Sequence, residues 1–248
     1  MNQKIIVSIQ LALFVFFAVF FELLILNNVL IVITSIQFAP LLAYILFILF
    51  FKNKAVQIIF DLNKKIVYKS ILAIIVPALL MGIPYLIIKI TGIVVSLNTI
   101  NQNLSMIYPM LLAQLLGSIG EEIGWRSFLQ TTLEKMMPVL FSSIIVGMIW
   151  GLWHIPVHSS AGIIVMITFI LMTIMFSIIM AIILKDTKNN IIISVLMHTS
   201  FNVSAFVLLN PSVIVKETLS IIALVMLIIT IIMVLKEKEY LLKQKNCA

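Results

Sequence analysis

The chain has 248 residues, 63% of them hydrophobic and only 10% charged, with a formal net charge of +7 and a mean hydropathy of +1.26. That composition excludes an ordinary soluble domain and points to an all-α, polytopic membrane protein read as a single transmembrane domain. The Lys and Arg residues are scattered through short loops and form no stripe or arm, so the positive charge is not that of a nucleic-acid binder.

Eight apolar runs are long enough to cross a bilayer, for which ~20 residues suffice: about 5–26, 29–51, 66–88, 106–133, 139–157, 161–184, 190–209 and 218–235. The first follows Lys4 and is longer than a signal-peptide core, and it reads as a retained span. The first two spans are rich in Phe, Leu and Ile and carry one acid, Glu22, at an interfacial depth. Between the second and third, Lys52 to Lys65 reads as a short amphipathic helix lying along the cytoplasmic interface. The third span contains Pro77 and Pro84, which are expected to kink it or open a gap in its backbone bonding. With the N-terminus inside, 14 of the 16 basic residues fall on the cytoplasmic side and only Lys89 and Lys216 outside. By the positive-inside rule both termini are then cytoplasmic. A single cysteine, Cys247, excludes an internal disulfide and any multi-cysteine metal site.

The fourth span carries the first motif, Glu121-Glu122-Ile123-Gly124-Trp125-Arg126. Ionisable groups at membrane depth are costly, roughly 2.5–3.5 kcal/mol each at a helix centre, and usually mark a functional site. Glu122 and Arg126 are one turn apart and suit an ion pair, whereas Glu121 is offset by about 100° and left for other work. Charges snorkelling from a cytoplasmic helix end would give the same cluster. Against that, Glu121 lies about 24 Å along the helix from Met137, within the membrane.

The fifth span ends Trp150-Gly151-Leu152-Trp153-His154-Ile155-Pro156-Val157-His158. Its two histidines are four apart, but Pro156 interrupts the helix between them. A histidine in an apolar segment is often no more than a hydrogen-bonded core residue. The seventh span holds His198-Thr199-Ser200-Phe201-Asn202, with His198 and Asn202 on one face. Asn202 could equally bridge two helices structurally. Taken together, a carboxylate pair, an Arg, two imidazoles and an amide sit on three helices with few other polar groups. One shared, water-containing cavity is the economical arrangement, equipped to activate water and stabilise an oxyanion. Gly-x-Ser-x-Gly, Walker, His-Glu-x-x-His and dinucleotide fingerprints are all absent.

These three stretches resemble the signature motifs of the CPBP family, the CAAX proteases and bacteriocin-processing enzymes also called Abi: Glu-Glu-x-x-x-Arg, an aromatic-x-x-x-His, and His-x-x-x-Asn. The likeness covers about 106–209, with Trp150 standing where Phe is usual. It implies an intramembrane endopeptidase in which Glu121 activates water with the help of His154, His198 and Asn202 complete the site, and Glu122 and Arg126 brace it. It also implies a bacterial membrane protein with roles in peptide maturation or immunity, acting on a membrane-associated peptide or protein. Metal dependence is left open by the motifs: Glu121, His154 and His198 could supply three zinc ligands. However, no usual zinc spacing is present and Asn202 is a poor zinc ligand, so the reading here is a metal-free site with no cofactor. Two other functions stand beside this one, a catalytically silent scaffold or immunity partner and a proton-coupled transporter carrying protons on Glu121.

Overall fold

The computed structural model describes residues 2–24, 37–52, 56–92, 104–155, 161–208 and 216–244, which are helical almost throughout, with no strand among them. Each of the eight expected spans contains a helix: α1 (Gln3–Leu24), α2 (Ala39–Phe50), α3 (Lys64–Thr91), α4 (Leu104–Glu122), α6 (Val139–Trp153), α7 (Ile163–Ile183), α8 (Ile191–Leu208) and α9 (Lys216–Lys236). α4 runs on through a π-helical stretch, Ile123–Gln130, into a last α turn, α5 (Thr131–Leu133), and a short α10 (Lys238–Leu242) follows α9. Five of these helices are long and apolar enough to cross a membrane, while the described parts of α2 and α6 are shorter apolar helices. Pro156, His158, most of the polar connection before α4 and the side chain of Glu22 lie outside the described residues.

The chemistry of the surface is inverted relative to a soluble protein. On α9, Leu224, Leu227, Ile228, Ile231 and Leu235 are exposed, as are Ile71, Ile75, Leu79 and Leu86 on α3, a pattern suited to acyl chains rather than water. Inside, Glu121, Glu122, Arg126, Gln130, Glu134 and His198 are all buried. The molecule is a multi-pass membrane protein with a buried polar cluster set in an apolar core.

Small residues bring two helices into close contact. α6 packs along α7. A Cβ added at Gly147 would stand 2.6 Å from the Ile174 Cα, and one at Gly151 would stand 2.8 Å from the Ile170 Cα. Only glycine allows that approach, which is the use of a Gly-x-x-x-Gly pair between membrane helices. α8 packs along α3 and α4 and also touches the π-helical stretch. α3 runs through both of its prolines, which are buried, and the Ser200 hydroxyl on α8 donates to the Ile74 carbonyl (2.7 Å) in the turn that Pro77 disturbs.

The loops that the charge distribution grouped together do meet at one end. The Ile191 amide donates to the Ile59 carbonyl (3.0 Å) and the Asn190 amide to the Asp61 carbonyl (2.9 Å). Lys65 pairs with Asp186 (3.7 Å), Lys185 with Glu237 (2.7 Å), and Gln244 donates to the Lys135 carbonyl (3.2 Å). One expectation fails here. Residues 56–62 are not an amphipathic helix; they form an extended strap. Its carbonyls at Val56, Ile59 and Asp61 accept hydrogen bonds from Tyr44, Ile191 and Asn190. Tertiary donors thus take the acceptors that a helix would have used for itself. Phe60 and Leu62, 73% and 76% exposed, project from the strap.

Candidate active site

The carboxylate-bearing helix places its polar groups by a four-residue rhythm. Glu122, Arg126, Gln130 and Glu134 recur every fourth residue. On a 3.6-residue helix such a stripe winds away by about 40° per step. The wider turns of the π-helical stretch counter that drift, so consecutive members remain in contact. Arg126 Nε donates to Glu122 Oε2 (3.1 Å), its Nη1 to Gln130 Oε1 (2.9 Å), and Gln130 Nε2 to Glu134 Oε1 (3.0 Å). Glu134 Oε2 in turn accepts from Asn189 Nδ2 (2.9 Å) in the α7–α8 loop. Arg126 Nη1 also donates to Ser177 Oγ (2.7 Å), whose own hydroxyl donates to the Ser143 carbonyl (2.7 Å). The guanidinium is fully buried and lies 5.4 Å from the centroid of the Trp150 ring.

Glu122 and Arg126 therefore form the ion pair that their spacing implied, and Glu122 does more. Its Oε1 accepts from His198 Nδ1 (2.9 Å) on α8. Since a carboxylate only accepts, that nitrogen carries the proton and Nε2 is the ring atom left for chemistry. Glu121 is not idle either. Its Oε2 accepts from the indole N–H of Trp150 (2.8 Å) and from that of Trp125 (3.3 Å).

His154 caps the C-terminal end of α6 and donates from Nδ1 to the Trp150 carbonyl (2.8 Å). Asn202 donates from Nδ2 to Gln114 Oε1 (2.9 Å), which leaves its second N–H. His154, His198, Asn202 and Trp150 line one cavity of about 70 Å³ with the aromatic walls Phe169, Phe176 and Phe201. That is room for roughly two waters at their liquid volume. Trp150 joins the parts: its N–H holds Glu121, and its ring stands 4.8 Å from the His198 ring and 6.3 Å from that of His154. Two of the three motifs thus line the cavity directly, and the first reaches it through Trp150.

The two imidazoles, each donating from Nδ1 to an acceptor, are braced as metal-bound histidines usually are. The third candidate ligand does not follow. Glu121 Oε2 is occupied by two N–H donors. Among the described residues no group of three His, Cys, Asp or Glu side chains is placed to hold a metal ion. As placed, Glu121, His154 and His198 do not fit a zinc ion.

Several participants were not singled out from the sequence. Gln130 and Glu134 were legible as a continuation of the Glu122–Arg126 spacing. Gly147 and Gly151 were legible as a Gly-x-x-x-Gly pair. Gln114, Ser143, Ser177 and Asn189 carry no motif, and only the packing brings them in.

The sequence of this region also matches known proteins. Residues 103–204 match the family described as type II CAAX prenyl endopeptidase Rce1-like. The chain is 28% identical over 178 residues to lysostaphin resistance protein A of Staphylococcus haemolyticus, covering 66% of this chain and 46% of that protein. It is 27% identical over 189 residues to the protein of the same name from Staphylococcus aureus USA300, covering 71% of this chain and 42% of that protein. The chain thus spans less than half the length of these curated relatives. Every motif residue of the site lies within the segment 103–204, the part of the chain that resembles the Rce1-like CAAX prenyl endopeptidases.

Proposed function

We propose that the protein is an intramembrane endopeptidase that hydrolyses a peptide bond in a membrane-associated peptide or protein. The observation that carries this reading is the convergence of His154, His198 and Asn202 on one cavity, with Glu121 attached to its Trp150 wall. In the proposed reaction a water in the cavity attacks the scissile carbonyl carbon while its proton passes to Glu121, assisted by His154. The oxyanion so formed is met by Nε2–H of His198 and by the second N–H of Asn202. An imidazolium at His198 would have the Glu122 carboxylate as its counter-charge, and Glu122 is itself anchored by Arg126. Collapse of the intermediate breaks the C–N bond, and the proton held by the base goes to the leaving amine. No metal and no cofactor takes part in this scheme.

The proposed setting is the cell membrane of a bacterium, with both termini cytoplasmic, the lipid bilayer as surroundings and no nucleic acid as partner. The gathering of the basic loops at one end supports that orientation. A second reading comes from the relatives, which are named for lysostaphin resistance. On that reading the chain gives resistance or immunity by binding another membrane component without cleaving it. A scaffold of that kind, like a proton-coupled transporter, has no use for an amide and two imidazoles around one cavity.

The deciding experiment is incubation of the purified protein with a membrane-peptide library, wild type against Glu121→Ala. Cleavage products made by the wild type and missing with Glu121→Ala are the expected result. Protection of cells from lysostaphin by Glu121→Ala as strong as by the wild type, with no product from either protein, would favour the scaffold.

A further inference from the structure

Of the three tryptophans of this chain, two donate to Glu121 and the third packs against one of them. Trp125 lies one turn further along the same helix and Trp150 comes from α6, and both indole N–H groups end on the same oxygen, Oε2 (3.3 and 2.8 Å). Trp153 packs its ring edge-on against Trp125, with centroids 5.7 Å apart, and its own buried N–H has no partner among the described residues. An indole donates one hydrogen bond from its nitrogen and accepts none there. Two donors converging on one carboxylate oxygen fix the rotation of the carboxyl group. They also leave no sensible place for a proton on that oxygen, because an O–H set there would face two N–H groups.

Trp150 is itself held on several sides. It is 4% exposed, its ring meets His198 and Phe176, and the Arg126 guanidinium lies over its face. Trp125 is fully buried against Phe14. The donors are therefore as fixed as the acceptor, which is what holding a base in one orientation requires.

Resting on the reading of Glu121 as the base, we propose that Trp150 and Trp125 are positioning residues that close off Oε2, so that Oε1 is the oxygen that receives the proton of the attacking water. Trp150 makes the shorter bond and also faces the cavity, so it carries the larger share. The role needs the indole nitrogen and not merely an aromatic ring. A phenylalanine at 150 would retain contacts with His198, Phe176 and Arg126 but would free Oε2 and let the carboxylate turn.

Two measurements test this. The first needs no substrate. In full-length protein labelled with ¹⁵N at the indole nitrogens, three N–H resonances are expected and are assigned by single Trp→Phe variants. Replacing the charge-assisted bonds with neutral ones in Glu121→Gln should move the Trp150 and Trp125 resonances upfield and leave that of Trp153 in place. A Trp150 resonance that does not move would overturn the clamp.

The second is kinetic, on whichever library peptide the wild type cleaves. Trp150→Phe should lower kcat by roughly 10- to 100-fold, the scale of a misplaced catalytic group, with KM within about twofold. Trp125→Phe should lower kcat by less, and it carries the same test if Trp150→Phe does not fold. Unchanged kcat in the folded variant would overturn the positioning role. A wild type that cleaves no peptide would remove the reaction and with it the positioning role, while the resonances alone would then decide whether the clamp exists.

Discussion

Replacing Glu122 with Gln should cost far more stability than the same change at Glu121, although the two acids are adjacent. Glu122 accepts from Arg126 Nε with one oxygen and from His198 Nδ1 with the other. Gln has one acceptor oxygen, so its amide nitrogen must face one of those two donors. It also withdraws the charge that compensates a guanidinium with no exposed surface. Breaking a buried pair by removing one partner costs about 3–5 kcal/mol. At Glu121 both donors end on Oε2, and a Gln oxygen can still accept both. There the loss is the difference between charged and neutral acceptors, about 1 kcal/mol. On the scaling of domains of 150–250 residues, the first change lowers the melting temperature by roughly 6–20 °C and the second by only a few degrees. Fluorescence-detected size exclusion after heating detergent-solubilised protein reads this directly. Arg126→Gln, which strands Glu122, should behave like Glu122→Gln. Equal melting temperatures for Glu121→Gln and Glu122→Gln would refute the division of labour between the two acids.

Further expectations concern other parts of the molecule. Gly151→Leu should push α6 from α7, because a Cβ there already falls 2.8 Å from the Ile170 Cα, and cost about 1–3 kcal/mol by overpacking; the same heating assay checks it, with Gly82→Leu, which meets nothing within 4 Å, as the tolerated control. Burial raises the Tyr240 phenol above its ordinary value of 10.0, so the contribution of the neutral phenol to stability is complete below pH 10 and is lost as pH rises further. Thermal stability should therefore fall above that pH, and fall less in Tyr240→Phe. Peptide cleavage, where found, should survive exhaustive chelation; loss on chelation with recovery on one equivalent of zinc would show that the donor set rearranges around a metal. In a Cys247-free background, a cysteine at the exposed position 188 should be labelled only from the cytoplasmic side, and labelling from outside the cell alone would invert the orientation.

What the sequence disclosed was whatever depends on local spacing. Glu122 and Arg126 are four apart on one helix, and their pairing follows from helix geometry alone. The grouping of basic loops likewise needs only the order of the spans. Contacts between helices are different, because they depend on how each helix is rotated about its axis and how deep it sits. Nothing local says that His198 meets Glu122 rather than Glu121, or that the second acid ends on two indoles. The strap at 56–62 was misread as a helix for a related reason: its amphipathic pattern is real, but donors from α2 and the α7–α8 loop claim its carbonyls. The π-helical stretch left no clear signature either. It accompanies the seating of Gly124 against Pro40, where a Cβ would overlap the proline ring, and that meeting joins residues 84 positions apart.

The widened turns have a consequence for how this helix tolerates change in length. Glu121 and Glu122 lie above them, while Glu134, which reaches the α7–α8 loop through Asn189, lies below. A π turn is an α turn with one residue to spare, so deletion of a single residue between 123 and 130 could be absorbed by reverting to α-helix. The helix would remain continuous and apolar. The two halves would then keep nearly their present heading, and the loop-side acid would still lie on the face that carries Glu122. Loss of one residue from the regular turns before Glu121 has no such reserve and would swing everything above it by about 100°, so this short stretch is where the helix best tolerates being shortened.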